Sequence, residues 1–138
     1  MSEAGAVPPI TSNESVARYI YYRSHLRRDK TVKPDAFIPY PYPDLSVTRH
    51  IRLSEKQLWE VGRNIAGRSG RVLCARADVQ VFEFQKHELQ VTPAPDSDNP
   101  NHANVTGWPA AKPAQKIIAQ QIAAAAGHAL TPPSDPAS

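Results

Sequence analysis

The 14 prolines of this 138-residue chain constrain its fold more than any other sequence feature. They gather in four clusters, at residues 8–9, 34–43, 93–113 and 132–136. A proline has no backbone donor and biases the residue before it towards extended geometry, so helix interiors and central strands rarely contain it. Regular elements are therefore expected in the stretches between these clusters.

Capping residues and hydrophobic spacing predict three helices. The first is predicted over 11–26, because Thr11 and Glu14 have capping-box spacing and apolar residues follow at helical intervals. The second is predicted to begin at Ser54, in another capping box, and to end at a glycine. The third begins at Pro113, a residue type that suits the first turn of a helix.

Strands are predicted where apolar residues alternate with polar ones or form a continuous run. Segment 45–52 alternates, with Arg49 as the one break on its apolar side. Segment 71–84 is apolar enough for one long strand or two short ones, and 87–93 predicts a last short strand.

These elements predict an α+β fold: a small mixed or antiparallel sheet of about three to four strands with three helices. A proline-rich arm (27–44) and a long loop (93–112) complete the predicted fold. Residues 11–130 are predicted to form a single domain, which a flexible leader (1–10) precedes and a disordered tail (131–138) follows.

Several functional classes have no support in the sequence. The single cysteine, Cys74, excludes an intramolecular disulfide and a multi-cysteine metal site, and we expect it to be inert packing. No glycine-rich phosphate loop or nucleophile elbow is present, so we expect neither a cofactor nor a metal. The sequence contains no recognisable secretory signal and no apolar run that could cross a bilayer, so we expect a cytoplasmic protein without membrane contact.

Basic residues cluster although the net charge is only +3. In "RYIYYRSHLRRDKTVK", tyrosines interleave with cations, a composition typical of nucleic-acid-binding surfaces. Arg76 and Asp78, in contrast, are expected to pair with each other. The predicted nucleic-acid contacts are Arg18, Tyr22, Arg23, Arg27, Arg28, Lys30, Lys33, Arg49 and Arg52.

The segment "NPNHANVTGWP" supplies a second candidate site, formed by His102, Asn104 and Trp108. An imidazole exchanges protons near neutral pH, an asparagine amide holds an oxygen atom, and an indole stacks on a base. The alternative interpretation is that these residues only stabilise the conformation of the loop. We predict that the Trp108 ring chiefly fills one end of the hydrophobic core and that His102 is exposed and chemically active.

Three functions are consistent with these residues. The first is a non-enzymatic binding module that engages RNA, single-stranded DNA, another polyanion or a protein partner through a basic, tyrosine-bearing face. The second is a metal-independent phosphodiesterase or ribonuclease that uses His102 and His50 as acid and base with arginine support. The third is a structural subunit of a larger complex. Whether the chain is an enzyme stays open at this point.

Overall fold

An antiparallel five-stranded sheet forms the centre of the protein, in a computed structural model that describes residues 7–133. The elements in chain order are β1 (Ser15–Ile20), β2 (Leu45–Arg49), α1 (Glu55–Arg68), β3 (Ala75–Gln80), α2 (Val81–Gln85), β4 (Gln90–Pro93), β5 (His102–Thr106) and α3 (Lys112–Ala126). The strands lie in the order β3–β1–β2–β5–β4. Two short 3-10 helices, Arg23–His25 and Pro34–Phe37, occur in the segment between β1 and β2.

One face of the sheet carries the main hydrophobic core, which includes side chains of α3 and of the Pro34–Phe37 helix. Val16 of β1 and Val105 of β5 belong to this core, where Phe37 and Ile122 are completely buried. Each such side chain contributes roughly 1.5–3 kcal/mol when it leaves water. We call this the α3 face.

The opposite face is covered by α1 at its β1 end. Ala17 and Tyr19 of β1 belong to a second hydrophobic cluster with Trp59 of α1, which is buried and anchors the helix to the sheet. Along β2 and β4 the same face carries Ser46 and Thr92, both exposed. Part of this face is therefore open, and we call it the open face.

The prediction of a helix over 11–26 is wrong, because the segment contains β1. The Thr11 amide does donate to the Glu14 carboxylate over 2.9 Å, but the turn that they form leads into a strand. Both faces of β1 contain buried residues, since Val16 and Ile20 alternate with Ala17 and Tyr19. A strand buried on both faces has a nearly continuous apolar run, which also fits helical spacing.

The prediction of a loop over 93–112 is wrong in part, because the segment contains β5. Ala103 and Val105 are buried in the core of the α3 face, and His102 and Asn104 point to the other side of the strand. The flanking prolines lie outside the strand, so they remove no hydrogen bond from it. β5 pairs with β2 on one side and β4 on the other, which makes it an interior strand.

The α+β class is confirmed, with differences in the details. The sheet is entirely antiparallel and has five strands rather than three to four, because the sequence patterns predict neither β1 nor β5. Segment 71–84 forms β3 and then most of α2, not a second strand. α1 begins with the predicted capping box, in which the Gln57 amide donates to the Ser54 hydroxyl over 3.1 Å.

Arg49, the break in the apolar side of β2, is a structural residue. It is 1% exposed, and its Nε donates to the Glu14 carboxylate over 2.8 Å. Its Nη1 and Nη2 donate to the carbonyl oxygens of Pro8 and Pro9 over 2.8 and 3.2 Å. Burial alone would raise the pKa of Glu14, but the hydrogen bond and charge of Arg49 contribute to a net lowering. The guanidinium is turned inward, so it offers little surface for the predicted nucleic-acid contact.

The predicted leader and tail are described only in part, since residues 1–6 and 134–138 lie outside the described residues. At the other end of the described range, the Pro133 carbonyl accepts a hydrogen bond from Arg63 of α1 over 3.1 Å. Together with the contacts of Arg49, this bond ties both ends of the described chain to the domain.

Helix α1 approaches β1 closely at Gly62. A Cβ atom at this position would lie 2.6 and 2.7 Å from two carbon atoms of the Tyr19 ring. The ring cannot move aside freely, because the Tyr19 hydroxyl donates to the Leu58 carbonyl over 2.5 Å. Gly67, in the same helix, has no atom within 4 Å of the equivalent position.

We expect Gly62→Ala to destabilise the protein by about 1–3 kcal/mol, the usual cost of overpacking. Gly67→Ala is the matched control, and the higher helix propensity of alanine should stabilise that variant by up to about 1 kcal/mol. Urea unfolding followed by tryptophan fluorescence measures both changes. Equal stabilisation by the two substitutions would show that α1 does not pack against Tyr19 as described.

Candidate functional site

A cleft opens where β1 and β2 separate. β1 pairs with β3 along all six of its residues but with β2 only at Val16–Arg49 and Ala17–Thr48. Beyond these pairs, a cavity of about 600 Å³ is lined by both strands. The end of α1 and the segment between β4 and β5 supply further walls. The cleft therefore combines parts of the chain that are distant in sequence.

Arg18 lies in the gap between the two strands. Its Nε donates to the Ala36 carbonyl over 2.8 Å, and its Nη1 donates to the Ser46 carbonyl over 2.9 Å. A guanidinium has five N–H donors, so these two bonds leave three others. Desolvation lowers the pKa of Arg18 to about 10, which still leaves the group cationic at neutral pH.

Arg18 differs from the two fully buried arginines in its partners. Arg49 and Arg76 each form salt bridges with one or two carboxylates. Within residues 7–133, Arg18 forms no salt bridge and bonds only to carbonyl oxygens. Even partial burial of a charge without a counter-ion is unfavourable, and an anion in the cleft would compensate for it.

Tyrosine rings and a second cation stand beside Arg18 in the cleft. The guanidinium of Arg71 lies 4.1 Å from the centre of the Tyr21 ring. Burial raises the pKa of Tyr21, although the two neighbouring guanidinium groups oppose this shift. Tyr22 and Tyr42 also line the cleft and are 52% and 71% exposed. Exposed rings beside cations can stack on bases while the cations neutralise phosphates.

Thr48, Asn99 and His102 form another part of the lining. Asn99 Nδ2 donates to Thr48 Oγ1 over 2.8 Å, and both residues are buried. Nδ1 of His102 lies 2.8 Å from the Ala94 carbonyl oxygen. A carbonyl only accepts, so Nδ1 donates to it, and Nε2 is the ring nitrogen left for another partner. His102 thus brings a polar ring to the cleft.

The formal charges along the cleft balance, but the partners of the charged groups differ. The lining contains three arginines, Arg18, Arg68 and Arg71, and three aspartates, Asp44, Asp96 and Asp98. Asp98 forms a salt bridge with Arg68, and Asp96 accepts two backbone N–H groups. In the part of the chain that the structure describes, Arg18 and Arg71 pair with no carboxylate. A ligand with one localised negative charge therefore fits this lining better than a ligand with many negative charges along the whole cleft.

A second cavity of about 210 Å³ adjoins the first. Its lining consists of Arg18, His25, Asp35, Ile38, Tyr40 and Lys112. The Lys112 ammonium lies 5.3 Å from the centre of the Tyr40 ring. Arg18 and His25 line both cavities, so they stand between the two spaces.

Residues 26–33 form a tight turn, which we call the basic turn. Leu26 and Val32 form a β-bridge, and the Arg27 amide donates to the Thr31 carbonyl over 2.9 Å. Directly before the turn, the partly buried ring of His25 lines the cleft and packs edge-on against Tyr22. The turn carries four of the predicted cations, Arg27, Arg28, Lys30 and Lys33, and Arg23 is exposed just before it.

The structure does not bring His50 into the cleft with His102. Nε2 of His50 lies 3.0 Å from Asp78 Oδ1, and Arg76 donates to the same carboxylate over 2.9 and 2.8 Å. His50 is not among the described residues that line the cleft. The expected pairing of Arg76 with Asp78 is confirmed.

The three residues of the predicted loop site are also separated. His102 lines the cleft, whereas Asn104 shares its side of β5 but is not among the described lining residues. Trp108 packs against the core of the α3 face, and its Nε1 donates to the Val105 carbonyl over 3.0 Å. Arg52 is exposed in a turn after β2 and is likewise not in the described lining. Cys74 is partly buried.

Several cleft residues have no clear sequence signal. The predicted site residues do not include His25, Tyr42, Arg68, Arg71 or Asn99, all of which line the cleft. The sequence shows only that two of them belong to a group of arginines and that Tyr42 stands between prolines. Neither pattern indicates that these side chains converge on Arg18.

Within residues 7–133, no helix has the length and apolar character needed to cross a membrane. The same residues contain no group of three or more histidine, cysteine, aspartate or glutamate side chains placed to hold a metal ion. Comparison with protein-family models, curated proteins and solved structures gives no match. Function is therefore inferred from the geometry of the cleft.

The carboxylate shared by His50 and Arg76 gives a pH-dependent prediction. Burial alone would raise the pKa of Asp78, but hydrogen bonds from His50 and Arg76 outweigh burial and lower it. The stability from such a group is present above the unfolded pKa of about 3.9 and is lost as the pH falls through the lower folded pKa. At about pH 7, Asp78→Asn should cost about 1.5–3 kcal/mol, the range for hydrogen bonds to charged groups.

The same variant should lose less stability than the parent between about pH 4 and about pH 2, because the titrating group is gone. Urea unfolding at several pH values measures this difference, with Glu60→Gln on the exposed side of α1 as the control. Parallel pH profiles for Asp78→Asn and the parent would contradict the described network.

Proposed function

We propose that the protein is a non-enzymatic module that binds single-stranded nucleic acid, RNA or DNA. The observation behind this proposal is Arg18, a partly buried cation that lines the cleft and forms no salt bridge within residues 7–133. A phosphate group suits a guanidinium well, because its oxygen atoms accept two N–H donors at once.

The aromatic rings favour a nucleic acid over a simple anion. Tyr22 and Tyr42 line the cleft and expose about half or more of their surface. Every base has a π-face, so stacking on such rings contributes about 1–3 kcal/mol per base with little dependence on sequence. The rings and Arg18 together match a nucleotide, which carries a base and a phosphate.

The shape of the cleft favours a single strand over a duplex. A cavity of about 600 Å³ holds a compact group such as one unstacked nucleotide, whereas the bases of a duplex are stacked inside it. The basic turn would add contacts with neighbouring phosphates of the same strand. These contacts are electrostatic and carry no sequence information.

The phosphodiesterase alternative would now depend on His102 and His25, because these are the histidines that line the cleft. Burial lowers the pKa of His25, despite the opposing effect of Asp35. At neutral pH a ring of this kind is mostly unprotonated, so it is a poor donor of the proton that a leaving group needs. The cleft therefore supports binding better than cleavage.

The alternative of a structural subunit receives less support from α3. Ala119, Ile122 and Ala123 of this helix are buried in the core of the chain itself. Ile117, which is 61% exposed, stands beside exposed polar residues on the outer side. The most apolar side of the helix is therefore used within the chain itself, and Ile117 is the large apolar side chain that α3 exposes among the described residues.

The contribution of the basic turn is tested by Arg27→Gln/Arg28→Gln. On a single-stranded oligonucleotide of about 12 residues, the double variant should bind more weakly for every sequence. The slope of log affinity against log salt should fall by about 1.4, since each neutralised phosphate of a single strand contributes about 0.7. Fluorescence anisotropy between about 50 and about 200 mM salt measures this slope.

Lys56→Gln/Lys86→Gln is the matched control, because it removes the same charge from exposed residues that do not line the cleft. It should leave the slope close to that of the parent. Equal slopes for the two double variants would remove the basic turn from the interface. Failure of the parent protein to bind any oligonucleotide would overturn the proposed function as a whole.

A further inference from the structure

The second cavity adjoins the cleft and shares two lining residues with it. Arg18 and His25 line both cavities, so a ligand in the larger one and a ligand in the smaller one would meet at these two side chains. The larger cavity, about 600 Å³, lies within the usual volume range of ligand sites, roughly 300–1,000 Å³. The smaller, about 210 Å³, lies below it and suits one ring system rather than a whole nucleotide.

Each cavity offers its own aromatic ring with a cation next to it. In the larger cavity Arg71 lies over Tyr21, and in the smaller one Lys112 lies over Tyr40. Both cavities also have aspartates in their linings: Asp44, Asp96 and Asp98 in the larger and Asp35 in the smaller. Carboxylates accept hydrogen bonds from the amino groups of bases and from sugar hydroxyl groups. Both cavities thus contain an aromatic ring, a cation and a carboxylate, and Arg18 lines both.

We propose that the two cavities bind two consecutive nucleotides of one strand, with the bridging phosphate on Arg18 and one base in each cavity. This inference rests on the proposed function and specifies its smallest ligand, a dinucleotide. In a nucleic-acid strand, the phosphate that joins two nucleotides carries a negative charge between their bases. Arg18 has the corresponding position between the two cavities. The neighbouring His25, partly buried, adds a polar ring at this position.

The ligand itself supplies the sharpest test, because no change in the protein is required. The probes are adenylyl-adenosine, its analogue with a neutral methylphosphonate linkage, adenosine monophosphate and adenosine. Each competes with a labelled oligonucleotide of about 12 residues. The dinucleotide should compete at least about tenfold better than either the monophosphate or the neutral analogue, because each of these lacks a base or the central charge.

Variants of the smaller cavity separate the two subsites. Tyr40→Ala and Lys112→Gln should weaken the dinucleotide severalfold and leave the affinity for adenosine monophosphate unchanged. Lys116→Gln is the matched control, since Lys116 is exposed one turn later on α3 and is not in the described lining of either cavity. Circular dichroism establishes that the variants keep the fold.

Two results would overturn the inference while leaving the proposed function intact. The first is oligonucleotide binding in which the dinucleotide competes no better than the monophosphate, which would mean a single subsite. The second is equal competition by the charged and the neutral dinucleotide, which would remove the phosphate from Arg18. Absence of oligonucleotide binding by the parent protein would instead refute the proposed function, and this inference with it.

Discussion

The guanidinium of Arg18 bonds to the carbonyl oxygens of Ala36 and Ser46 beside the point where β1 and β2 part. Backbone carbonyls of a sheet need donors, and here a side chain supplies the donor for Ser46 in place of the neighbouring strand. The Ser46 carbonyl therefore keeps a hydrogen-bond donor although the sheet is open at this point. The same contacts connect β1, the proline-rich segment and β2. The cleft, its rim tyrosines and the second cavity are all arranged around this one side chain.

The two buried arginines hold the fold, whereas the partly buried Arg18 faces the cleft. Arg76 bonds to Glu55 at the start of α1 and packs 4.9 Å from the Trp59 ring, which ties this end of the helix to β3. Arg49 holds the segment before β1 through Glu14. In both cases carboxylates compensate the charge that burial removes from water. Arg18 has only neutral carbonyl partners among the described residues, so no carboxylate there compensates its charge.

The charge distribution of the cleft limits what it can select. Two of its three aspartates are engaged by Arg68 or by backbone N–H groups. The exposed pair of Arg68 and Asp98 contributes little free energy, because solvent screens such pairs. It can therefore rearrange at small cost when a ligand enters. If the proposed function is correct, a site of this kind would respond to the placement of one phosphate relative to its bases more than to the total charge of a polymer.

The amino-acid sequence by itself determined the elements whose signals are local. The capping box at Ser54 and Gln57 specified the start of α1, and Pro113 specified the first turn of α3. The pairing of Arg76 with Asp78 followed from their spacing on one strand. Tertiary structure decided β1 and β5, because burial on two faces hides the alternation of β1, and flanking prolines hide the short strand β5. It alone decided the cleft, since Arg18, Arg71, His102 and Tyr42 come from four distant segments. Their convergence depends on strand pairing, which spacing along the chain does not encode.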